Sequence, residues 1–292
     1  MQIKITHNGS SAEICSVGAQ LQSWKHGGRE YIWQREESVW TSSCPILFPV
    51  VGSTVDDTVK IGGKPYGIKK HGFTRAMDFS LGKHGDDFAE LLLSDTPETY
   101  AVYPFHFTLH VTFVIEDGKI STVLLVENRD DKPMPFCLGG HPGFALPFED
   151  GEGFEDNDIV FEQHEDGINS LAPNGYIITG TEKLSELEDG RVLPLKHSLF
   201  DERDALIFAS LKSRSVRLVS RNTGRGIRFD FPKFSVLGIW SKPKANADYV
   251  CLEPWCGIPA VKGESGSMED KPYVQIIPPD TCARFAFSAS AV

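Results

Sequence analysis

Apolar and polar residues alternate along much of this chain. The clearest run is apolar at every odd position from 105 to 115, with mostly polar residues between. A period of two residues is typical of a β-strand with one buried face. Residues 116–119 then supply a turn and residues 120–127 predict a returning strand, so the two segments form a hairpin.

The same alternation recurs towards the C-terminus. Residues 216–218 and 227–231 flank a turn, and Phe285 and Phe287 fit a last strand. No long segment has the 3.6-residue period of an amphipathic helix, and the Gly-x-Gly-x-x-Gly fingerprint of a dinucleotide-binding βαβ unit is absent. Frequent punctuation by 27 glycines and 18 prolines suits many short strands. The pattern therefore predicts an all-β sandwich or barrel.

Composition narrows the possible partners. The net charge of −11 argues against nucleic acid, because phosphate binding needs a basic face. The N-terminus lacks the apolar run of a signal peptide, and no stretch of ~18 apolar residues predicts a membrane helix. The six scattered cysteines fit free thiols in a reducing compartment. We expect a cytoplasmic protein that binds neither nucleic acid nor membrane.

Three short segments set one ionisable side chain each among glycine, proline and aromatic residues. They are His71–Phe73, His141–Phe144 and Leu252–Trp255. One carboxylate and two imidazoles on separate segments are suited to acid–base catalysis. Aromatic neighbours suit a sugar, because its C–H faces stack on rings while its hydroxyls need polar partners.

Taken in chain order, these segments and three others resemble the aldose 1-epimerase (galactose mutarotase-like) family. The other three are Gly18–Leu21, Pro45–Gly52 and Asp204–Phe208. The similarity runs from about residue 18 to residue 257 and covers most of the chain. It implies that residues 1–292 form a single domain: a large antiparallel β-sandwich with few short helices. In that family the sugar lies in an open cleft on the concave face of a sheet.

The resemblance also implies two catalytic roles. Glu253 would be the general base that takes the anomeric proton, and His141 the general acid that protonates the ring oxygen. Apolar Leu252 and Trp255 beside Glu253 favour desolvation, which raises the pKa of a carboxyl and makes it a better base. The local sequence alone also fits a solvated strand-end Glu253 and a turn histidine at 141. In these roles Glu253 must be deprotonated, which predicts the acid limb of a bell-shaped pH–rate profile. His141 must be protonated, which predicts the alkaline limb.

Further residues are candidates for binding the sugar. The family pattern implies that His71 and Arg75 bind substrate oxygens and that Asp204 binds hydroxyls. A solvated basic patch around His71 and a solvated acidic turn around Asp204 are the simpler interpretations of the local sequence. The candidate stacking rings, each equally compatible with core packing, are Trp240, Trp255 and Phe73.

A metal site is the main chemical rival for a set of histidine and glutamate residues. His106 and His110 share a strand face but lie roughly 13 Å apart at 3.3 Å per residue, too far to share one ion. No His-x-His or His-Glu-x-x-His motif occurs, and Gly-x-Ser-x-Gly is absent. We therefore expect no metal and no cofactor, and neither cupin nor serine hydrolase chemistry.

The sequence thus predicts a mutarotase that acts on a hexose. Ser53, Asp56 and Asp57 follow the Phe-Pro-x-x-Gly run, where relatives specific for hexose 6-phosphates often have a basic residue. Carboxylates there would repel a phosphate, which favours an unphosphorylated sugar, although Lys69, Lys70 or Arg75 could compensate. The alternatives are a hexose-6-phosphate 1-epimerase and a non-catalytic sugar-binding module. The expected partner is a small sugar, and both a monomer and a homodimer remain open.

Overall fold

Antiparallel strands form most of the chain, as the alternating pattern predicts. The computed structural model describes residues 1–292 except the side chain of residue 174. The strands are β1 (Gln2–His7), β2 (Ser10–Cys15), β3 (Gln20–His26), β4 (Arg29–Glu30), β5 (Ile46–Leu47), β6 (Thr58–Ile61), β7 (Lys64–Gly67), β8 (Ser80–His84), β9 (Phe88–Ser94), β10 (Phe107–Glu116), β11 (Lys119–Asn128), β12 (Met134–Phe136), β13 (Leu138–Gly140), β14 (Gly143–Ala145), β15 (Asn157–Phe161), β16 (Ile168–Leu171), β17 (Gly180–Lys183), β18 (Val192–Pro194), β19 (Ala205–Phe208), β20 (Ser215–Ser220), β21 (Gly226–Asp230), β22 (Val236–Trp240), β23 (Tyr249–Cys256), β24 (Gln275–Ile277) and β25 (Cys282–Ala291).

Helices are few and short. The α-helices are α1 (Pro97–Val102) and α2 (Ser198–Arg203), and the 3₁₀ helices are Thr74–Ala76, Phe154–Asp156 and Pro173–Gly175. Helix α1 begins with a capping box, in which the Thr96 side chain accepts from the Thr99 backbone N–H and the Thr99 side chain accepts from the Thr96 N–H. No helix among the described residues is both long and apolar enough to span a membrane.

Two large sheets organise the molecule. The nine-stranded sheet has the order β18-β15-β20-β21-β25-β11-β10-β9-β8, and the smaller sheet has the order β19-β22-β23-β13-β5 with β14 also paired to β23. The sheets face each other, since the ring of Phe144 on β14 lies 5.6 Å from that of Phe229 on β21. Alternate residues of β10, namely Leu109, Val111 and Phe113, point into the buried core. A sandwich with a shared core confirms the predicted all-β class.

The predicted strands occur with small shifts at their ends. The hairpin pairs β10 with β11 from Phe107 opposite Asn128 to Glu116 opposite Lys119, so the strand starts two residues later than the alternation suggested. In the family-like segment Gly18–Leu21, only Gln20 and Leu21 belong to β3, because Gly18 and Ala19 have φ of 74° and 43°. All six cysteines are unpaired, as predicted.

Candidate active site

Glu253 lies in the middle strand of the smaller sheet, and β23 is buried along its whole length. Its neighbour across the ladder is Gly238 on β22. A Cβ at Gly238 would lie only 2.7 Å from the ring of Trp255, so a glycine there leaves room for the large side chains of β23. The Glu253 side chain is 3% exposed. A solvated strand-end carboxylate is therefore excluded, and a carboxylate buried at this depth needs a functional explanation.

The ladder places His141 beside Glu253. Strand β13 pairs with β23 at Trp255 and β14 pairs with it at Cys251, so the link between them crosses the level of Glu253. The His141 backbone N–H donates to the carbonyl oxygen of Pro45 at 3.1 Å, which fixes the link against the neighbouring loop. Nε2 of His141 then lies 3.1 Å from Oε2 of Glu253. Two residues that are 112 positions apart in sequence become one pair.

This pair is incompletely satisfied by the protein. In the part of the chain that the structure describes, neither Oε2 of Glu253 nor Nδ1 of His141 has a well-aligned hydrogen-bond partner, although both atoms are buried. Buried polar atoms without partners are rare in native proteins, and a bound ligand or water is one way in which such atoms become satisfied. The pair therefore has free hydrogen-bonding capacity for a polar substrate.

Burial also determines the protonation of the pair. Desolvation raises the pKa of Glu253 well above its ordinary value, against the opposing charge of Lys70. Desolvation lowers the pKa of His141 to about 3. Burial thus favours the uncharged form of each group, so the pair shares one proton chiefly as a carboxylic acid beside a neutral imidazole. The sequence had suggested a carboxylate beside an imidazolium, which has the same proton count but leaves two buried charges.

His71 is held as a neutral hydrogen-bond donor. The Gly52 N–H donates to its Nδ1 at 3.1 Å, and the His71 N–H donates back to the Gly52 carbonyl oxygen at 2.9 Å. Since Nδ1 accepts, the neutral ring has its proton on Nε2. Burial is the largest cause that lowers the pKa of His71 well below its ordinary value, and repulsion from His141 and Lys70 lowers it further. Its φ of 66° is unusual for a residue other than glycine and indicates local backbone strain.

Asp204 and Trp240 meet through adjacent strands. Asp204 ends helix α2 with a φ of 65°, and its N–H donates to the Phe200 carbonyl oxygen at 2.7 Å. The next residue, Ala205, is paired with Trp240 across β19 and β22. Burial raises the pKa of Asp204, while Lys70 and the Trp240 indole act in the other direction. A second residue other than glycine with a positive φ thus lies at the site.

One cavity of about 330 Å³ brings the predicted residues together. The cavity is lined by all six of the predicted catalytic and binding residues. The catalytic residues are Glu253 and His141, and the binding residues are His71, Arg75, Asp204 and Trp240. Of the other two predicted rings, Trp255 also lines the cavity. Phe73 is not among the lining residues, and its ring packs near Phe48 and Phe107 in the core.

Sequence reasoning missed an aromatic wall. Trp40 lines the cavity, with its ring 5.1 Å from that of His141 and 5.4 Å from that of Trp240. The segment around Trp40 matched no motif, so its sequence gave no signal. Two tryptophans beside the catalytic pair form an apolar surface against which the C–H face of a sugar ring would stack.

The charge around the cavity also differs from the sequence-based picture. Asp56 and Asp57 lie in an exposed turn and are not among the lining residues. The lining instead includes three cations, Lys70, Arg75 and Lys242. The repulsion expected from the two aspartates, which was the reason to expect an unphosphorylated sugar, is therefore not a feature of this cavity.

The folded chain also creates a compact donor cluster that linear spacing did not reveal. Ligand atoms of His141, Cys251 and Glu253 all lie within 4.8 Å of one another. Burial, and then the charge of Glu253, raise the pKa of the Cys251 thiol well above its ordinary value. Since metals bind the thiolate, a thiol that resists ionisation is a poor ligand. The chemistry of the three donors fits an acid–base pair better than a metal centre.

Comparison with known proteins places the chain among sugar epimerases. A family model described as aldose 1-epimerase matches residues 1–266. The chromosomal LacX protein of Lactococcus lactis subsp. lactis is 33% identical over 290 residues, which covers 96% of each chain. A galactose mutarotase related enzyme from Lactobacillus acidophilus superposes with a TM-score of 0.92 at 29% identity, covering 100% of this chain and 97% of that one.

A second solved structure gives the same result. The galactose mutarotase-like protein from Lactobacillus casei ATCC 334 superposes with a TM-score of 0.91 at 28% identity, covering 100% of both chains. These similarities confirm the predicted galactose mutarotase-like β-sandwich and the resemblance found in the sequence.

Proposed function

The chain belongs to the aldose 1-epimerase family, and on that premise we propose that it interconverts the α and β anomers of a hexose. The single observation that supports this most is the buried pair, with Nε2 of His141 3.1 Å from Oε2 of Glu253 in a cavity walled by tryptophan. Mutarotation needs one proton removed from the anomeric hydroxyl and one delivered to the ring oxygen. A carboxyl and an imidazole that together hold one proton are suited to this exchange.

The chemical steps balance within the pair. With the pair as carboxylate and imidazolium, Glu253 takes the proton from the anomeric hydroxyl and His141 gives its proton to the ring oxygen. The bond between C1 and the ring oxygen breaks, and the free aldehyde forms. The pair is then a carboxylic acid and a neutral imidazole, the arrangement that burial favours. Ring opening therefore returns the pair to the uncharged form that burial favours, and the charged form in which the step starts is the less populated arrangement of the same proton.

Ring closure uses the same groups in reverse. Rotation about C1–C2 presents the other face of the carbonyl. Glu253 then protonates the carbonyl oxygen, while His141 removes the proton from the attacking hydroxyl. The other anomer leaves, and the pair regains its starting protonation. No cofactor enters this scheme, and each catalyst contributes about 10²–10⁴-fold.

The remaining cavity residues are suited to holding the sugar in place. The His71 Nε2–H is a neutral donor, the Arg75 guanidinium is a charged donor, and the Asp204 carboxylate is an acceptor for hydroxyls. Trp40 and Trp240 supply the stacking surface. Fixing the ring between these groups aligns C1 with the catalytic pair, and such alignment accounts for much of the rate that enzymes gain.

Polarimetry on freshly dissolved α-glucose and α-galactose tests this proposal. We expect the protein to accelerate the decay of rotation well above the buffer rate for at least one sugar, in proportion to enzyme concentration. Sugar binding without acceleration would refute the enzyme and favour the sugar-binding module. A heat-inactivated sample is the control for catalysis by buffer ions.

A second candidate is a hexose-6-phosphate 1-epimerase. The three cations that line the cavity, Lys70, Arg75 and Lys242, favour it, because each would attract a phosphate. Glucose 6-phosphate belongs in the same experiment beside the neutral sugars. A clearly higher kcat/KM for the phosphorylated sugar would replace the neutral hexose as the substrate, whereas the reverse would retain it.

A further inference from the structure

We propose that Lys70 is an additional functional residue of this site, which binds a substrate oxygen through its ammonium group and sets the pH range in which the His141–Glu253 pair holds its single proton. The inference rests on the proposed function. The sequence named Lys70 only as one of three cations that could offset the two aspartates near a phosphate. In the folded chain it lines the same cavity as both members of the pair.

The ammonium of Lys70 lies against the backbone at Gly175 in the cavity wall. A Cβ built on Gly175 would lie 2.6 Å from Nζ of Lys70 and also collide with Oδ2 of Asp204, so this backbone lies directly against both charged groups. Gly175 has a φ of 65°, a backbone conformation that favours glycine. The ring of Tyr176 lies 5.6 Å from Nζ, and the Ser53 hydroxyl donates to the Gly175 carbonyl oxygen at 3.4 Å. The segment around Gly175 thus covers Lys70.

Lys70 differs from the other two cations of the cavity in its exposure. Arg75 and Lys242 are exposed, whereas Lys70 is partly buried. Water and salt screen exposed charges, so Arg75 lowers the pKa of His141 less than Lys70 does. Burial lowers the pKa of Lys70, and the carboxylates of Asp204 and Glu253 oppose this. Because water screens a partly buried ammonium less than an exposed one, the charge of Lys70 acts on its neighbours over a longer range.

The direction of that action is the same for both members of the pair. The charge of Lys70 lowers the pKa of Glu253 and also that of His141. Removing the charge must therefore raise both, and both limbs of the pH–rate profile must move to higher pH. Replacing Lys70 leaves the other titratable or charged groups that face the pair unchanged, so the displacement reports on Lys70. These groups are His71, Arg75, Asp204, Lys242, Tyr249 and Cys251.

Three variants test the proposal on the full-length protein. Lys70→Met keeps most of the stem and removes the charge, Lys70→Arg keeps the charge, and Lys69→Met removes an adjacent exposed charge that does not line the cavity. In Lys70→Met we expect both limbs of kcat/KM to move upward by about one pH unit. We also expect KM to rise by about 10-fold through loss of a charged hydrogen bond to the sugar. Lys70→Arg should restore the limbs, and Lys69→Met should match the wild type.

Two results would overturn the proposal. One is a folded Lys70→Met protein, checked by its thermal melt, whose limbs and KM are unchanged. The other is an equal displacement of the limbs in Lys69→Met, which would indicate only a general charge effect. A wild-type protein without turnover would refute the proposed function separately. In that case the titration midpoint of the Glu253 carboxyl, measured by ¹³C NMR, serves as the readout instead of the rate. A midpoint that is the same in Lys70→Met and in the wild type would refute the role of Lys70.

Discussion

Two of the histidine–glutamate pairs in the described residues have nearly the same spacing but different surroundings. On the nine-stranded sheet, Nδ1 of His110 lies 2.9 Å from Oε1 of Glu90, and these side chains are 20% and 22% exposed. In the cavity, Nε2 of His141 lies 3.1 Å from Oε2 of Glu253, with exposures of 11% and 3%. The difference between the pairs is access to water.

The two glutamates respond in opposite directions. The pKa of Glu90 is lowered, chiefly by its hydrogen bond with His110, which outweighs the opposing effect of burial. The pKa of Glu253 is raised, chiefly by burial. Opposite charges 4 Å apart gain about 4 kcal/mol at an effective dielectric constant of 20. Removing each ion from water costs several kcal/mol, so desolvation dominates only where water is excluded. Chemistry at the second pair therefore follows from its position in the fold and not from its residue types.

Replacing each glutamate by glutamine gives the largest expected contrast. Glu253→Gln keeps the size and an acceptor oxygen but cannot take a proton, so we expect mutarotation to fall by about 10³-fold. Glu90→Gln should leave turnover within about twofold, because its pair is remote from the cavity lining. Polarimetric rates, sugar affinity and thermal melts on the same preparations measure this. Near-normal turnover in a folded Glu253→Gln protein that still binds sugar would refute the base role.

Replacing the histidines should give the next largest difference. His141→Asn removes the proton donor, and we expect a loss of about 10²-fold or more together with one limb of the pH–rate profile. Since burial lowers the pKa of His141 to about 3, the lost limb should be the acid one. The matched control, His110→Asn, should keep both limbs. A His141→Asn profile with both limbs intact would assign the acid to another group, with His71 the next candidate.

Stability should change in opposite directions at the two pairs. The folded-state pKa of Glu253 is raised, so ionisation penalises the fold increasingly as pH rises above about 4.3, the value in an unfolded chain. Glu253→Gln removes this penalty, and we expect the free energy of unfolding at neutral pH to rise by about 1–2 kcal/mol. Urea unfolding at several pH values measures the effect. A Glu253→Gln protein that is less stable than the wild type at neutral pH would contradict burial as the dominant cause.

Glu90 supplies the opposite case. The folded-state pKa of Glu90 is lowered, so its carboxylate stabilises the fold at pH values above about 4.3, the pKa in an unfolded chain. This stabilisation is lost as the pH falls through the folded-state pKa. Because the pair is partly exposed, Glu90→Gln should cost less than about 1 kcal/mol at neutral pH. The same urea series detects this loss and its disappearance in acid. A cost that persists unchanged in acid would show that the carboxylate charge is not its source.

Chelation should produce no effect. The Cys251 thiol beside the catalytic pair resists ionisation, so the three clustered donors suit proton transfer better than a metal. Prolonged treatment with a chelator followed by gel filtration should leave the polarimetric rate unchanged. Activity that is lost and then restored by one divalent ion would show that the cluster binds a metal.

The sequence predicted the features that depend on local pattern. Alternation indicated the β10–β11 hairpin, and short motifs indicated His141 and Glu253. Their 3.1 Å separation was not predictable, because it depends on β13 and β14 pairing with β23 across more than one hundred residues. Trp40 was missed since no local pattern marks a residue that tertiary packing brings to the cavity. Asp56 and Asp57 were misjudged for the same reason, as position in sequence does not determine which way a turn faces.

Site-resolved titration of the two glutamates tests the central claim most directly. Carboxyl ¹³C NMR on protein labelled at glutamate, with each signal assigned by its loss in the corresponding Gln variant, follows both groups in one sample. The account predicts that Glu253 titrates well above the ordinary glutamate value and Glu90 below it. A Glu253 signal that titrates at or below the ordinary value, together with Glu90, would contradict the claim that burial makes this pair a proton-exchange site.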